Sequence, residues 1–270
     1  MRNCDSKLKT VGQRHACTRK GAFADKLSVS FVLPMFNEQD NIENTIKAVR
    51  SLAKELTDDY EIVVSDDASQ DMSADIVEEL AKKDKDIKLV RLNRNTKFGG
   101  AFAKGFKAAS KDVIVYMDSD MPVKLEDVKA SFPLIREFDI VTGYSKVKKG
   151  DTLKRKIISS VYNFMVQTVF GLSIKDINSG YKIVRKSLVD DIKFISHSPF
   201  VDVELFLQAK RKKCKVYQFP LIFISRSGGK SYIAGMPTII ATFIDMFKVK
   251  LFSLCHSERG RSPSRRIQIT

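Results

Sequence analysis

Apolar and polar residues alternate along the chain in a pattern that predicts strands and helices in turn. Short β-branched and aromatic runs recur, each followed by a longer segment with apolar residues at helical spacing. The predicted strands are 28–33, 60–65, 87–92, 112–117, 139–143, 181–184 and 215–219, with Pro34 and Pro220 ending the first and the last. The predicted helices are 39–56, 72–83, 100–110, 124–137, 152–170, 201–212 and 236–254. This alternation predicts an α/β fold with a mostly parallel sheet covered on both faces.

Three of the predicted strands are followed by segments that carry carboxylates. They are PMFNE at 34–38, DDASQD at 66–71 and DSD at 118–120. Ligands of such sheets bind beyond the carboxyl ends of the strands, so we expect the three segments to converge. Two carboxylates at i and i+2 of a turn can face one hard cation, which completes its shell with water and substrate phosphates. Asp118 and Asp120 are therefore candidate metal ligands.

These acidic residues also have simpler interpretations. Asp120 could cap the following helix, and Ser69 and Asp71 are good N-cap residues, so we assign the last two mainly to capping. Asp67 is the better candidate for a ligand contact, and Asp66 is expected to brace the turn.

Two glycine-containing segments need separate interpretations. Gly99, Gly100 and Gly105 follow the third strand rather than the first, so they predict close helix packing and not a nicotinamide cofactor. The loop RSGGKS at 226–231 could cradle a diphosphate, because glycines admit the phosphates and Arg226 adds a charged fork. A solvated surface loop explains the same residues equally well.

The formal net charge of +15 suggests a nucleic-acid partner until the charges are located. Residues 1–27 and 248–270 each contribute +5, and the long body between them contributes the last +5. Basic tails suit an anionic membrane surface or RNA, whereas a groove-reading domain concentrates charge on a folded face.

No two cysteines have the spacing of a zinc site, and the N-terminus lacks the apolar run of a secretory signal. We therefore expect reduced thiols in a cytosolic setting.

Five motifs in order, namely PMFNE, DDASQD, DSD, DINSGYK at 176–182 and RSGGKS, resemble the family-2 glycosyltransferases. More narrowly, the chain resembles dolichol-phosphate mannosyltransferase and related polyprenyl-phosphate glycosyltransferases, over roughly residues 28–232. The resemblance implies a GT-A fold and a nucleotide-sugar donor. It also implies a divalent metal, Mg²⁺ or Mn²⁺, and inverting transfer of a sugar, mannose or glucose, to a polyprenyl (dolichyl-type) phosphate.

The resemblance also implies roles for individual residues. The implied nucleotide-sugar contacts are Pro34, Phe36, Glu38, Asp67, Asp118, Ser119, Asp120, Arg226 and Lys230. Asp118 and Asp120 would hold the metal, Arg155 would lie near the acceptor phosphate, and Asp120, Arg155 and Arg226 would be catalytic. Glu204 matches an acidic position on the helix beneath the site.

Three departures from dolichol-phosphate mannosyltransferase favour the class over that one activity. Pro122 stands where that enzyme places a third metal ligand, Gln, and the fifth-strand exit 143–146 lacks its Arg. Tyr232 stands where its late loop has Lys. A degenerate, non-catalytic homologue therefore remains an alternative.

The acceptor can be argued from the chemistry. A phosphate acceptor is already ionised at neutral pH and needs no strong base, which fits the absence of histidine from every motif. A hydroxyl acceptor would need a base such as Asp176, Asp202 or Glu204. A family-2 enzyme acting on a saccharide or another acceptor is therefore the first alternative.

A polyprenyl acceptor requires membrane contact, and the chain offers a candidate segment. We expect a disordered basic tail at 1–27, a GT-A domain at 28–235, an amphipathic helix at 236–255 and a second disordered basic tail at 256–270. Ile240, Ile244, Phe247, Leu251 and Leu254 recur at helical spacing, but Asp245, Lys248 and Lys250 leave no run long enough to span a bilayer.

This last helix either lies in the membrane interface or packs on the core, and helix 152–170 could line the same surface. We expect a protein at the cytoplasmic face of a membrane, that of the endoplasmic reticulum in a eukaryote. The alternative from another class is a non-catalytic RNA- or membrane-binding protein. Nucleic acid is not an expected partner, because acidic loops at a sheet edge repel phosphates unless a metal intervenes.

Overall fold

The computed structural model describes residues 27–145, 153–223 and 236–259. Seven strands form one sheet in these ranges: β1 (Val29–Met35), β2 (Tyr60–Asp66), β3 (Ile87–Arg91), β4 (Val113–Met117), β5 (Ile140–Ser145), β6 (Tyr181–Arg185) and β7 (Val216–Leu221). Their spatial order is β3-β2-β1-β4-β6-β5-β7. Strand β6 runs antiparallel to β4 and β5, and every other pairing is parallel. The predicted mostly parallel α/β sheet is confirmed.

Within the described ranges, eight α-helices connect and cover the strands: α1 (Ile42–Leu56), α2 (Ser73–Lys83), α3 (Lys97–Ala108), α4 (Leu125–Ser131), α5 (Leu153–Phe170), α6 (Lys186–Val189), α7 (Val201–Arg211) and α8 (Met236–Arg259). The predicted helix 124–137 is divided into α4 and a 3-10 turn, Phe132–Arg136. Helix α6 was not expected, and α8 runs past the predicted boundary at 255.

The two faces of the sheet carry separate apolar cores because side chains alternate along each strand. On one face, Val29, Phe31 and Leu33 pack with apolar residues of α1, α2 and α4. On the other, Val32 packs with apolar residues of α3 and α5 to α8. The sheet is thus buried between two helical layers, as the continuous apolar strands predict.

Two prolines lie inside strands rather than at their ends, which corrects the prediction. Pro34 is buried in β1, beyond Val32, the last β1 residue paired with β4. Pro220 lies in β7, which pairs only with β5 in the described sheet. A missing N–H is tolerated at both places because one side of the backbone has no neighbouring strand to bond.

Close backbone packing explains two of the glycines after β3. A Cβ on Gly99 would lie 2.5 Å from the Ser196 carbonyl oxygen, and one on Gly105 would lie 2.6 Å from Val32 Cγ1. The expectation of close helix packing is confirmed at both positions.

Helices α5 and α8 touch each other and expose apolar side chains. Lys250 Nζ of α8 donates to the Val169 carbonyl of α5 at 3.1 Å. Helix α8 buries Thr242, Asp245, Met246 and Val249. The apolar faces, as we call them below, consist of Ile158, Val161 and Phe164 on α5 and Ile240, Ile244, Phe247 and Leu251 on α8. The packing of one side of α8 on the core is therefore confirmed, while contact of its exposed apolar side with a membrane stays a prediction.

Candidate active site

The acidic segments lie at one edge of the sheet. Strands β2, β1 and β4 are neighbours and parallel, so the segments that leave them emerge side by side. The turn Asp176–Gly180 joins them because β6 is antiparallel and therefore begins at this edge. Asp118 N–H donates to the Gly180 carbonyl at 3.1 Å. The predicted convergence is confirmed, and the reversed strand adds a fourth segment.

The first two segments are hydrogen-bonded to each other in both directions. Asn37 N–H donates to Ser69 Oγ at 2.9 Å, and Glu38 N–H donates to Ser73 Oγ at 2.7 Å. In return, Gln70 N–H donates to Asn37 Oδ1 at 2.8 Å. These bonds fix the two loops as one surface.

The expectation that Ser69 and Asp71 mainly cap a helix is wrong for Ser69 and holds only in part for Asp71. Helix α2 begins at Ser73 and has Met72 at its N-cap position, without a side-chain cap bond. Asp71 still accepts from Ser73 N–H at 3.0 Å, but its other oxygen accepts from Gln39 N–H at 3.2 Å. The polar side chains after β2 are therefore used to join the loops.

Asp66 and Asp67 have separate environments although they are adjacent. Asp66 Oδ1 accepts from Ser69 N–H at 3.0 Å and from Ser69 Oγ at 2.5 Å, so it braces the turn as predicted. Asp67 Oδ1 accepts from Thr96 N–H at 2.6 Å and from Thr96 Oγ1 at 2.7 Å. Burial raises the pKa of Asp67 above its ordinary value, against the lowering effect of the Thr96 bonds.

Asp118 is held by a buried tyrosine and by a close approach of the backbone. The Tyr116 hydroxyl donates to Asp118 Oδ1 at 2.6 Å. A Cβ on Gly180 would lie 2.4 Å from Asp118 Oδ2 and 3.1 Å from Pro122 Cγ. Burial, together with the charge of Asp118, raises the pKa of Tyr116 well above its ordinary value, so the hydroxyl stays a donor. A Cβ at position 180 would therefore displace this carboxylate.

The rest of the DSD turn is fixed by helix α1. Ser119 is buried, and its carbonyl accepts from Thr45 Oγ1 at 2.7 Å. Asp120 follows it and is partly buried.

A left-handed residue occurs in each of the three loops after β1, β2 and β4, namely Asn37 (φ 54°), Ala68 (φ 60°) and Met121 (φ 47°). Such conformations persist where the surroundings over-determine them, which marks these loops as rigidly held.

A buried ion pair lies close to the acidic residues. Lys182 Nζ lies 2.9 Å from Asp202 Oδ1, and the two side chains are 0% and 1% exposed. Burial raises the pKa of Asp202 to about 6; Lys182 opposes this shift, and the charges of Asp118 and Asp176 add to it. Asp202 therefore forms a buried ion pair with Lys182 inside the domain.

Sequence reasoning missed Tyr116 and Lys182 as site residues. A signal existed for each. Tyr116 precedes Asp118 by two positions at the end of a strand, so strand alternation continued by one residue places both on one face. Lys182 interrupts an otherwise apolar predicted strand. A lysine in such a strand is buried only when it is paired, so it points to a carboxylate in the core.

The remaining expected residues fall into distinct places. Pro34 is buried in β1, and Phe36, directly after the strand, is partly exposed. Glu38 is 8% exposed, and its Oε2 accepts from Asn41 Nδ2 at 3.1 Å. Glu204 accepts from Ile195 and Ser196 N–H, so it anchors the loop before α7.

The expected basic residues cannot be placed at this edge by their side chains. Arg226, Lys230 and Tyr232 lie outside the described residues, as does Lys146. The backbone of Arg155 belongs to α5, and its side chain lies outside the described part of the chain.

The donor chemistry of the DSD turn fits one hard divalent cation. Carboxylate oxygens are the ligands that Mg²⁺ and Mn²⁺ prefer, and Asp118 lies in a cradle that a Cβ on Gly180 would fill. Among residues 27–145, 153–223 and 236–259, no three His, Cys, Asp or Glu side chains form a complete metal site. Two carboxylates leave the remaining positions for water and phosphate oxygens.

The sequence matches the model of Glycosyl transferase family 2 over residues 30–193. The chain belongs to this family. The matched segment includes the PMFNE, DDASQD, DSD and DINSGYK motifs. The family resemblance in the sequence is therefore confirmed.

Curated relatives and solved structures agree with this assignment. The chain is 30% identical over 211 residues to Glycosyltransferase AglD of Haloferax volcanii, covering 74% of this chain and 34% of that protein. It is 32% identical over 167 residues to undecaprenyl-phosphate 4-deoxy-4-formamido-L-arabinose transferase of Pseudomonas fluorescens, covering 60% of this chain and 48% of that protein. The chain thus spans less than half the length of these two relatives.

The fold is shared with glucosyl-3-phosphoglycerate synthase of Mycobacterium tuberculosis, crystallised with Mn²⁺, uridine diphosphate and phosphoglyceric acid. The TM-score is 0.63 at 18% identity, over 88% of this chain and 80% of that one. Mannosyl-3-phosphoglycerate synthase of Rubrobacter xylanophilus gives a TM-score of 0.61 at 15% identity, over 89% and 79%. These likenesses establish the GT-A glycosyltransferase fold of the chain.

Proposed function

We propose that the protein transfers a sugar from a nucleotide-sugar donor to a polyprenyl phosphate, with inversion at the anomeric carbon. The observation that carries this proposal is the acidic edge, where Asp67 and the DSD turn are fixed by hydrogen bonds near the ends of neighbouring strands. The name of the Pseudomonas fluorescens relative, an undecaprenyl-phosphate sugar transferase, supports the acceptor class.

In this proposal each residue of the edge has one task. Pro34, Phe36, Glu38 and Asp67 bind the nucleoside, and Asp118 and Asp120 hold a divalent cation with Ser119 beside them. Bound Mg²⁺ or Mn²⁺ would neutralise the charge that develops on the leaving diphosphate. Arg226 and Lys230 would share that charge, and Arg155 would contact the acceptor phosphate.

The buried ion pair favours a phosphate acceptor over a hydroxyl acceptor. A hydroxyl must lose its proton to a base, whereas an ionised phosphate attacks directly. Asp202 is 1% exposed and paired with Lys182, and Glu204 binds two backbone N–H groups. Of the three carboxylates considered as bases, these two are already engaged inside the fold.

The apolar faces of α5 and α8 support contact with the membrane that holds such a lipid. Exposed apolar side chains at positions 240, 244, 247 and 251 form a stripe along one side of α8. Helices of this kind lie in the interface with the apolar side towards the acyl chains. In the described part of the chain, each helix is too short or too polar to cross a bilayer.

An acceptor screen tests the proposal. Radiolabelled nucleotide sugars are incubated with polyprenyl phosphate in detergent, with Mg²⁺, with Mn²⁺ or with chelator. Soluble saccharides and phosphoglycerate are the competing acceptors. We expect label in the lipid fraction only when a divalent cation is present. Transfer to a soluble acceptor with none to the lipid would contradict the proposal that polyprenyl phosphate is the acceptor. Transfer that persists in the presence of chelator would contradict the proposed requirement for a divalent cation.

A further inference from the structure

The carboxylate of Asp118 has a hydrogen-bond partner that the family motifs do not include. Tyr116 is fully buried in β4, and its hydroxyl lies 2.6 Å from Asp118 Oδ1. With Oδ1 accepting this bond, the carboxylate plane is set, and Oδ2 lies against Gly180. A charge-assisted bond of this kind restricts rotation of the carboxylate.

The Tyr116 ring is in turn held from the neighbouring strand. Tyr116 and Lys182 are directly opposed in the antiparallel β4–β6 register, so their side chains share one face of the sheet. Lys182 Nζ lies 5.3 Å from the centre of the Tyr116 ring, within range of a cation–π contact.

Lys182 is itself fixed by two further contacts. It forms the ion pair with Asp202 and donates to the Ser179 carbonyl, which directly precedes Gly180. One buried cation therefore touches the tyrosine that orients Asp118, the turn that packs on Asp118 and an internal carboxylate. A buried charge is costly unless fully paired, and here two of its three contacts, those with Tyr116 and Ser179, are made to neighbours of Asp118.

We propose that Tyr116 is a positioning residue for Asp118 and that Lys182 holds Tyr116 and the Ser179–Gly180 turn in place. The inference rests on the proposed function, because Asp118 matters as a metal and diphosphate ligand there. Outer partners that orient a metal-ligating carboxylate contribute to metal affinity without touching the metal. Neither residue is assigned a part in the reaction itself.

The matched pair Tyr116→Phe and Tyr181→Phe tests the role of the hydroxyl. Both tyrosines are fully buried on adjacent strands, but the Tyr181 hydroxyl pairs with Ser131 Oγ at 2.7 Å. Each substitution removes one buried hydroxyl and keeps the ring. We expect similar losses in unfolding midpoint, and we expect Mn²⁺ binding to weaken about 10- to 100-fold in Tyr116→Phe alone.

Mn²⁺ binding is measured directly by the electron paramagnetic resonance signal of free Mn²⁺, with and without uridine diphosphate. Equal Mn²⁺ affinity in the two variants would overturn the inference and leave the proposed function standing. A wild-type protein that binds Mn²⁺ no better than Asp120→Asn would instead remove the metal from the proposed function. The two failures are therefore distinguishable.

The double substitution Lys182→Met with Asp202→Asn tests the lysine. It removes the two charges together, so no buried charge is left unpaired and the net charge is unchanged. We expect a folded protein whose Mn²⁺ affinity falls about tenfold, because the tyrosine ring and the turn lose their anchor. An affinity equal to that of the wild-type protein would overturn the role assigned to Lys182.

Discussion

The acidic edge and the apolar faces of α5 and α8 are organised in opposite ways. At the edge, side chains are fixed by hydrogen bonds: Thr96 holds Asp67, Tyr116 holds Asp118, and the loops after β1 and β2 bond to each other. On the helices, Phe164 and Phe247 are 69% and 65% exposed. A small polar donor needs a preorganised site, whereas a long lipid needs only apolar area.

The largest effect should come from Asp120→Ala, which changes the acidic edge and leaves the apolar faces of α5 and α8 unchanged. We expect transfer to fall by about a thousandfold, because a charge-stabilising group is lost at the leaving diphosphate. The side chain is partly exposed, so the unfolding midpoint should stay near that of the wild-type protein. Wild-type turnover of this variant in saturating metal would remove Asp120 from the proposed site.

Gly180→Ala should have the next largest effect, by displacing Asp118 rather than removing it. The new Cβ would lie 2.4 Å from Asp118 Oδ2, and a displacement of about 1 Å at a reacting centre costs roughly a hundredfold in rate. Gly105→Ala is the control, because its Cβ would meet Val32 Cγ1 instead. We expect both variants to lose stability and only Gly180→Ala to lose turnover per folded molecule. Equal turnover of the two variants would contradict the claim that the close contact with Gly180 sets the position of Asp118.

The double substitution Phe247→Ser with Leu251→Ser should affect the membrane side alone. We expect flotation with anionic liposomes to weaken about 10- to 100-fold, because two apolar side chains no longer enter the interface. Turnover with detergent-dispersed acceptor should stay unchanged. Met72→Ser is the control, since it removes a 57% exposed apolar side chain of the β2–α2 connection. Undiminished flotation would show that α8 does not bind the membrane.

The smallest effect should come from a change in pH at Asp245, the residue that bonds α8 to the loop before α7. Asp245 accepts from His197 N–H at 3.1 Å and from Ser198 N–H at 3.0 Å. Burial alone would raise the pKa of Asp245, but the hydrogen bonds from Ser198, Lys248 and His197 outweigh it and hold the pKa below its ordinary value.

A carboxylate with a lowered pKa stabilises the fold above its ordinary pKa, near pH 4, and loses that contribution as the pH falls further. We therefore expect the amides of His197 and Ser198 to exchange about fivefold faster, relative to their intrinsic rates, below this range. Asp245→Asn should show no such pH dependence there. If the pH profile of amide exchange in the wild-type protein matched that of Asp245→Asn, the Asp245 carboxylate would not be what protects these amides.

Local pattern was sufficient for the strands, for every described helix except α6 and for the convergence of the acidic loops. Those features depend on residues close in sequence, such as the apolar run before Asp118. The direction of β6 was not predictable in this way, because a strand of five residues has the same pattern in either direction. Consequently the position of Gly180 against Asp118 and the pairing of Tyr116 with Lys182 also escaped prediction.

The polar residues after β2 show a second limit. Ser69 and Asp71 suit an N-cap by type and position, yet they bond to the loop after β1, which is 32 residues away in sequence. Local preference and a distant partner compete for the same side chains, and only the folded arrangement decides between them.

The reversed strand β6 also determines where this chain can change in length. Strand β5 ends, and β6 begins, at the edge that carries the acidic loops, so the connection between them starts and finishes on the same side of the sheet. An insertion there lengthens a closed loop at a cost of only about 0.6 kcal/mol per doubling and leaves the strand register intact. The connection that contains α5 can thus change in length without altering the strand pairing of the sheet.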